Sequence, residues 1–187
     1  MEMDVNRSLA ERLKRARSDR GWTLDQFAAA SGVSRAMISR IERAEVSPTA
    51  AILARLAAGL GASMASLFPA PRSAGEPLSR WDDQSDWRDP ASGYVRRNVS
   101  PAGAAVEIVY VTFPARGRVV FDNYTASRDI EQQVWVLEGE IEMSIGPEVT
   151  LLATGDCLLM RLDQPITFHN PGDNAARYVV VLSRTSS

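Results

Sequence analysis

The chain has one cysteine and one histidine in 187 residues, and these two scarcities remove a good deal of chemistry. A single Cys forms no internal disulfide and builds no Cys-rich zinc module. A lone His169 excludes any metal site that needs two or three imidazoles. No stretch approaches the roughly 18 apolar residues of a membrane helix. The first twenty residues are charged and carry no apolar signal core, so no export signal and a cytoplasmic location are expected. What is present is ordinary for a soluble globular chain: 45% hydrophobic, 24% charged and 7% aromatic residues, enough to bury a core. The formal charge of −2 hides an asymmetry. Residues 1–70 hold ten basic groups against seven acidic ones, and residues 71–187 hold eleven against sixteen. The first part is the one suited to a polyanion.

No Pro occurs before Pro48, Ala is abundant there, and apolar residues recur at three- and four-residue spacing. Leu9, Leu13 and Ala16 form one stripe, and Leu24, Phe27, Ala28 and Ser31 a second. Val33, Met37, Ile38 and Ile41 form a third, and Ile52, Leu53, Leu56, Ala57 and Leu60 a fourth. Ser63 to Phe68 suits a last short helix, which makes five. From Pro69 to Ser92 the composition turns to Pro, Ser, Asp and Gly, as in a linker. Trp81 and Trp87 are unusual in a solvated linker, so this stretch is expected to lie against a domain. After Gly93 come β-branched runs at Val106–Phe113, Val119–Tyr124, Gln133–Leu137, Ile141–Ile145, Val149–Leu152, Cys157–Leu162 and Tyr178–Leu182. Turn residues separate these runs, which predicts a sandwich, jelly roll or small barrel.

Local signals in the helical part are specific. Thr23 is a good N-cap, with Gln26 three residues later to complete a capping box. Gly32 suits a left-handed helix end, and Ser34 caps the next helix. Helix, tight Gly turn, helix is the unit that places its second helix in a DNA major groove. With Val33, Met37, Ile38 and Ile41 inward, that helix presents Arg35, Ala36, Ser39, Arg40 and Arg43. Arg35 and Arg40 can reach base edges, since Arg pairs bidentately with guanine, and Ala36 can touch a thymine methyl. Ser34, Ser39 and Arg43, with the helix start at Thr23, suit phosphates. Glu42 is expected to be a structural salt-bridge partner.

The segment TLDQFAAASGVSRAMISRIERAEVSPTAAILARLAAGLGASMASLF resembles the lambda-repressor-like, Xre-type helix-turn-helix regulators, over about residues 8–68. Two positions depart from that family. Leu24 stands where many members have a phosphate-binding Gln, and Ala44 where a Gly commonly ends the second helix.

Residues 93–184, through QQVWVLEGEIEMSIG and LLATGDCLLMRLDQPITFHNPGDNAARYVVVL, resemble the cupin fold, a jelly roll or double-stranded β-helix. The cupin metal ligands are missing. The Glu position is Gln132, the first two His positions fall within Ala126 to Arg128, and the last His position is Ile166. Amide and Ile side chains do not replace imidazole and carboxylate around a transition metal. No metal, cofactor or catalytic group is therefore expected. His169 falls on the opposite strand face, as a surface or structural residue. Cys157, on an apolar run, is expected to be a small core residue. Inward parity nominates Gln132, Val134, Val136, Ile166, Phe168 and Asn170 for a small-ligand pocket, mostly apolar with two amides. Arg97, Arg118, Arg161 and Tyr124 are candidates without an assigned direction.

Together these features predict an all-α helix-turn-helix domain at 1–68, a linker at 69–92 and an all-β cupin domain at 93–187. Such a chain is expected to bind double-stranded DNA at an inverted repeat as a homodimer, and its cupin domain to sense a small-molecule effector. The alternatives are a repressor whose cupin domain is purely structural, and a cupin enzyme tethered to DNA.

Overall fold

The computed structural model describes residues 2–68, 76–122 and 130–184. Helix α1 (Glu2–Ser18) lays Val5, Leu9 and Leu13 on the buried faces of α2 (Leu24–Ser31), α3 (Arg35–Glu42) and α4 (Ala50–Gly59). Phe27, Ile38, Ile41, Leu53 and Leu56 complete that core at 1% exposure or less. Where α2 meets α4, only glycine fits. A Cβ on Gly59 would come within 2.9 Å of the Ser31 Cα. Ser31 itself is satisfied locally, donating to the Phe27 carbonyl at 2.7 Å.

Among the described residues there are four α-helices rather than five. The segment expected to form the fifth makes only a 3-10 turn, Ala65–Leu67. Phe68 already has extended backbone (ψ 154°), because the following Pro69 excludes the helical conformation for the residue before it. Among the described residues no helix is long and apolar enough to cross a membrane.

Among the described residues ten strands follow: β1 (Asp86–Arg88), β2 (Val95–Asn98), β3 (Val106–Phe113), β4 (Arg118–Phe121), β5 (Ile130–Glu138), β6 (Glu140–Ile145), β7 (Glu148–Ala153), β8 (Cys157–Arg161), β9 (Ile166–His169) and β10 (Ala176–Arg184). They form a six-stranded sheet, β1-β2-β3-β10-β5-β8, and a four-stranded sheet, β4-β9-β6-β7. Every pairing is antiparallel. The two sheets bury their facing sides against each other, as in a cupin-like jelly roll. Alternation on β5 puts Ile130, Gln132, Val134 and Val136 inside.

Three elements of the β half do not appear among the predicted runs: β1, β2 and β9. Strand β1 lies within the 69–92 stretch, where Trp87 is 2% exposed between the rings of Phe68 and Tyr94. Trp81 stays 56% exposed, with the Arg97 guanidinium 3.7 Å from its ring centroid and Tyr110 against its edge.

Helix α4 joins the two halves. Its N-terminal Ala50 N–H donates to Asp89 Oδ1 at 3.0 Å, in addition to the Thr49 side-chain cap. Midway, Arg55 pairs with Asp122. Beyond the helix end, Asn98 Nδ2 donates to the Ala65 carbonyl at 2.9 Å. A chain of ring contacts runs from Phe68 through Trp87, Tyr94, Phe113 and Tyr178 to Phe168, each step between 5.5 and 6.1 Å. The helical half and the sandwich therefore share one continuous core.

Candidate functional site

The first candidate surface is the outer face of α3. Thr23 caps α2 by accepting the Gln26 N–H at 3.2 Å, and Gln26 Oε1 accepts the Thr23 N–H at 2.8 Å. Gly32 turns the chain in the left-handed region (φ 66°), and Ser34 Oγ accepts the Met37 N–H at 3.3 Å. A capping hydroxyl that accepts one N–H still has its own O–H to give. Thr23 and Ser34 are both exposed, so each can donate to an outside oxygen.

Arg35, Ala36, Arg40 and Arg43 are exposed on α3, and Ser39 is half-buried. The arginines are held by light internal ion pairs. Arg35 lies 3.4 Å from Asp25, Arg40 4.0 Å from Glu45, and Arg43 2.6 Å from Glu45. Arg43 also donates to Ser39 Oγ at 2.6 Å. The Arg43 guanidinium holds the Glu45 carboxyl below the usual carboxylate range, chiefly by hydrogen bonding. Exposed pairs of this kind are weak and are exchanged readily for a phosphate. Glu42 is different. Arg17 grips it bidentately at 2.7 and 2.8 Å, with the two side chains only 14% and 6% exposed. That pair fastens α1 to the end of α3 and leaves Glu42 no role outside the fold.

The helix ends through Ala44, which has φ 56°. Its N–H and that of Glu45 close on the Ile41 and Arg40 carbonyls at 2.9 and 3.0 Å. This is a left-handed cap made by a residue with a Cβ, at the position where the sequence departs from the glycine pattern.

The second candidate is a cavity of about 130 Å³ between α4 and the inner faces of the sheets. Ala54, Ala57, Ala58 and Met64 close it from the helical side. Of the residues nominated for a pocket, Gln132, Ile166 and Phe168 line it. Val134, Val136 and Asn170 do not. Val134 and Val136 are fully buried between the sheets. Asn170 is a structural amide: it donates to the carbonyls of Phe113, Pro114 and Asn174, and its Oδ1 accepts the Gly172 N–H. Parity predicts which face a residue takes, but not its depth along the barrel.

None of the three unplaced arginines enters the cavity. Arg97 pairs with Asp86, and Arg118 and Arg161 are exposed. Tyr124 and the 126–128 window lie outside the described residues. The lining instead contains Arg96, with Tyr94 and Tyr178. All three are at most 5% exposed. Burial pushes the Tyr94 phenol up to about 12 and pulls the Arg96 guanidinium below its ordinary value.

Cys157 is exposed rather than in the core, because it sits on the outward parity of β8 with Leu159. His169 is half-buried outside the cavity, its Nδ1 3.3 Å from Glu142 Oε1. Among the described residues no three His, Cys, Asp or Glu side chains are grouped to hold a metal ion.

Residues 8–67 match the family described as "Helix-turn-helix domain". The chain is 26% identical over 175 residues to the HTH-type transcriptional regulator SutR of Escherichia coli (strain K12), covering 94% of each. It superposes on the crystal structure of an HTH_3 family transcriptional regulator from Vibrio cholerae with a TM-score of 0.80 and 25% identity, covering 100% of both chains. Hydroxypropylphosphonic acid epoxidase from S. wedmorenis aligns more loosely, with a TM-score of 0.48 and 21% identity over 97% of this chain and 99% of that one, and lends no chemistry.

Proposed function

Starting from a helix-turn-helix transcriptional regulator with a cupin-like β half, we propose that it reads an inverted-repeat operator as a homodimer and senses a small molecule in the β half. The observation that carries this proposal is the outer face of α3 and its C-cap, where three arginines and Ala36 stand exposed after the capped helix starts at Thr23 and Ser34. Arg35 and Arg40 take base edges and Ala36 a thymine methyl. Arg43, Ser34, Ser39 and the helix start at Thr23 take phosphates, with Glu45 releasing Arg43 on contact. Two such helices in a dimer meet half-sites about one helical turn, roughly 34 Å, apart.

The division of labour is a DNA-binding unit at 1–68, a connection at 69–92 and a sensing and pairing unit at 93–187. For pairing, the outer face of the large sheet is the best-suited surface. In register across four strands it carries Tyr110, Val179, Trp135 and Cys157, then Ile108, Val181, Gln133 and Leu159. Trp135 and Leu159 are 48% and 59% exposed. An exposed, mostly apolar sheet face of this kind suits a two-fold contact. For sensing, the supporting feature is that α4, which follows the reading helix, forms the cavity roof. The proposal needs no catalytic step.

The test is selection of sheared genomic DNA by the purified full chain, followed by sequencing of the bound fragments. A few enriched sites with two symmetric half-sites are expected. Sedimentation of Trp135→Lys beside the wild type tests the pairing face, and the variant should be monomeric. Retention of only unrelated fragments, in proportion to their length, would refute specific reading.

A further inference from the structure

We propose that the cavity under α4 is a carboxylate site, taking a small organic acid with its charge on Arg96 and its apolar body against Val109, Val119 and Phe168. This rests on the sensing role proposed above and names the ligand class. Arg96 is 4% exposed, yet its Nε has no hydrogen-bond partner. Its one recorded bond is long, Nη2 to Asn98 Oδ1 at 3.4 Å. The guanidinium otherwise rests on the Phe68 ring, 4.7 Å from the centroid. The neighbouring Arg97 shows what a satisfied arginine looks like here, with Asp86 at 2.6 and 2.7 Å. Among the described residues Arg96 has no such pair. Glu107 acts on it only through space, and Glu107 Oε2 is itself buried without a partner. A buried guanidinium with free donors costs stability unless an anion meets it.

The rest of the lining fits the same ligand. Tyr94 and Tyr178, 5% and 3% exposed, line the same cavity as Arg96. Both phenols are held neutral by burial and stay donors. Gln132 makes only a weak contact, Nε2 to Met160 Sδ at 3.8 Å. Among the described residues Arg96 is the single charged residue of the lining, which suits one negative charge and leaves a dianion half uncompensated. A cavity of about 130 Å³ holds roughly one benzene-sized body. The signal has a short path. Arg96 touches Phe68 at the end of the helical half, and Asn98 on the same strand holds the Ala65 carbonyl.

The experiment uses the full chain with acetate and benzoate as probes. Acetamide, benzamide, inorganic phosphate and matched sodium chloride are the controls. Titration is followed at the Arg96 Nε–H resonance by ¹⁵N NMR and by thermal melting. Both acids are expected to shift Arg96 saturably. Benzoate at a hundredfold excess over its Kd should raise the melting temperature by about 5–10 °C. The amides and chloride should do neither. Arg96→Met should weaken benzoate binding about tenfold to hundredfold, and without ligand it should melt no lower than the wild type. Amides that bind as well as acids, phosphate that binds more tightly than acetate, or an Arg96 resonance that neither acid moves would each overturn the proposal. The NMR readout on wild-type protein decides the matter even if the variant misfolds. Failure of the genomic selection would sink the operator reading alone, because the Arg96 titration contains no DNA.

Discussion

Asp89 should be among the costliest single side chains to remove, although it lies outside both candidate sites. It is 2% exposed, in the turn after β1. Its Oδ1 accepts the Ala50 N–H at 3.0 Å, and its Oδ2 accepts the Ser92 N–H at 3.0 Å and the Ser92 hydroxyl at 2.5 Å. One carboxylate thus satisfies the first turn of α4 and closes the β1–β2 turn. Hydrogen bonds to a charged group contribute about 1.5–3 kcal/mol each, and donors left buried without an acceptor add their desolvation cost. The contributions are not independent, so Asp89→Ala should lower stability by about 3–5 kcal/mol. Asp89→Asn keeps Oδ1 for Ala50 but presents an NH₂ group to the Ser92 N–H, so its loss should be about 1–2 kcal/mol. Urea denaturation of the three proteins, followed by tryptophan fluorescence, measures both differences. Trp87 is the apt reporter because it packs between Phe68 and Tyr94, across the junction. If Asp89→Ala falls within 1 kcal/mol of the wild type, or both variants lose the same amount, the carboxylate is not acting as the shared acceptor. In that case α4 is not pinned to the sandwich at its N-terminus.

Ala44→Gly should stabilise the chain by about 0.5–1 kcal/mol, since it removes a left-handed Cβ penalty at the cost of some unfolded-state entropy. An unchanged or lower urea midpoint would refute that account. On alkaline titration at 295 nm, Tyr94 and Tyr178 should ionise late, because burial holds the first up to about 12 and the second well above its ordinary value. These phenols are neutral in the fold, so their contribution to stability is complete below pH about 10. It is lost as the pH rises from there through about 12, with unfolding setting in over that window. Early, fully reversible ionisation of every tyrosine without unfolding would contradict it. On the selected operator, Arg35→Ala and Arg40→Ala should each cost about 1–3 kcal/mol and relax preference at one base pair per half-site. Arg43→Ala should weaken all sequences alike and reduce the salt slope by about 1. Identical behaviour of the three on random DNA would overturn the separation of base from phosphate contacts.

The helical half was legible because its signals are local. The Thr23–Gln26 box, the Ser34 cap and the Gly32 turn each occupy a few neighbouring residues, and all three are present as expected. The fifth helix failed for an equally local reason, the proline after Phe68. The β half was legible where strands are apolar and bounded by turns, as in β3, β5, β6 and β10. It was not legible where a strand is short and carries charge. In β2 the buried residue is Arg96, between the half-buried Val95 and Arg97, so hydropathy marks the inner face as the outer one. That inversion hides the strand, and with it the cation that lines the cavity. The sequence offers Arg97 instead, whose carboxylate partner Asp86 lies on a strand that hydropathy equally fails to mark. Cys157 failed by one step of parity within an apolar run, where composition cannot tell the two faces apart.

The placement of Arg96 bears on how a small ligand can control a reading head at all. A ligand shifts an equilibrium only by its difference in affinity for the two states, and a shift from 1:99 to 99:1 takes about 5.5 kcal/mol. A benzene-sized acid has few atoms to supply that difference, and contacts to walls belonging to one sheet contribute nothing to it, because those walls are the same in both states. If α4 shifts in the proposed sensing, the discriminating contacts are the ones that change with it. They are the alanine roof at 54, 57 and 58, Met64, and the Arg96 guanidinium on Phe68. Of these the guanidinium contact is the strongest, since Arg96 is an unpaired buried cation without the acid and a paired one with it. Shortening the roof and neutralising the cation should therefore have different signatures. Met64→Ala should weaken the link between ligand and operator while leaving Arg96 able to bind acetate. Arg96→Met should weaken ligand binding about tenfold to hundredfold while leaving the apo protein's operator affinity intact. Loss of apo operator affinity in both variants would mean that the cavity only props up α4 and transmits nothing.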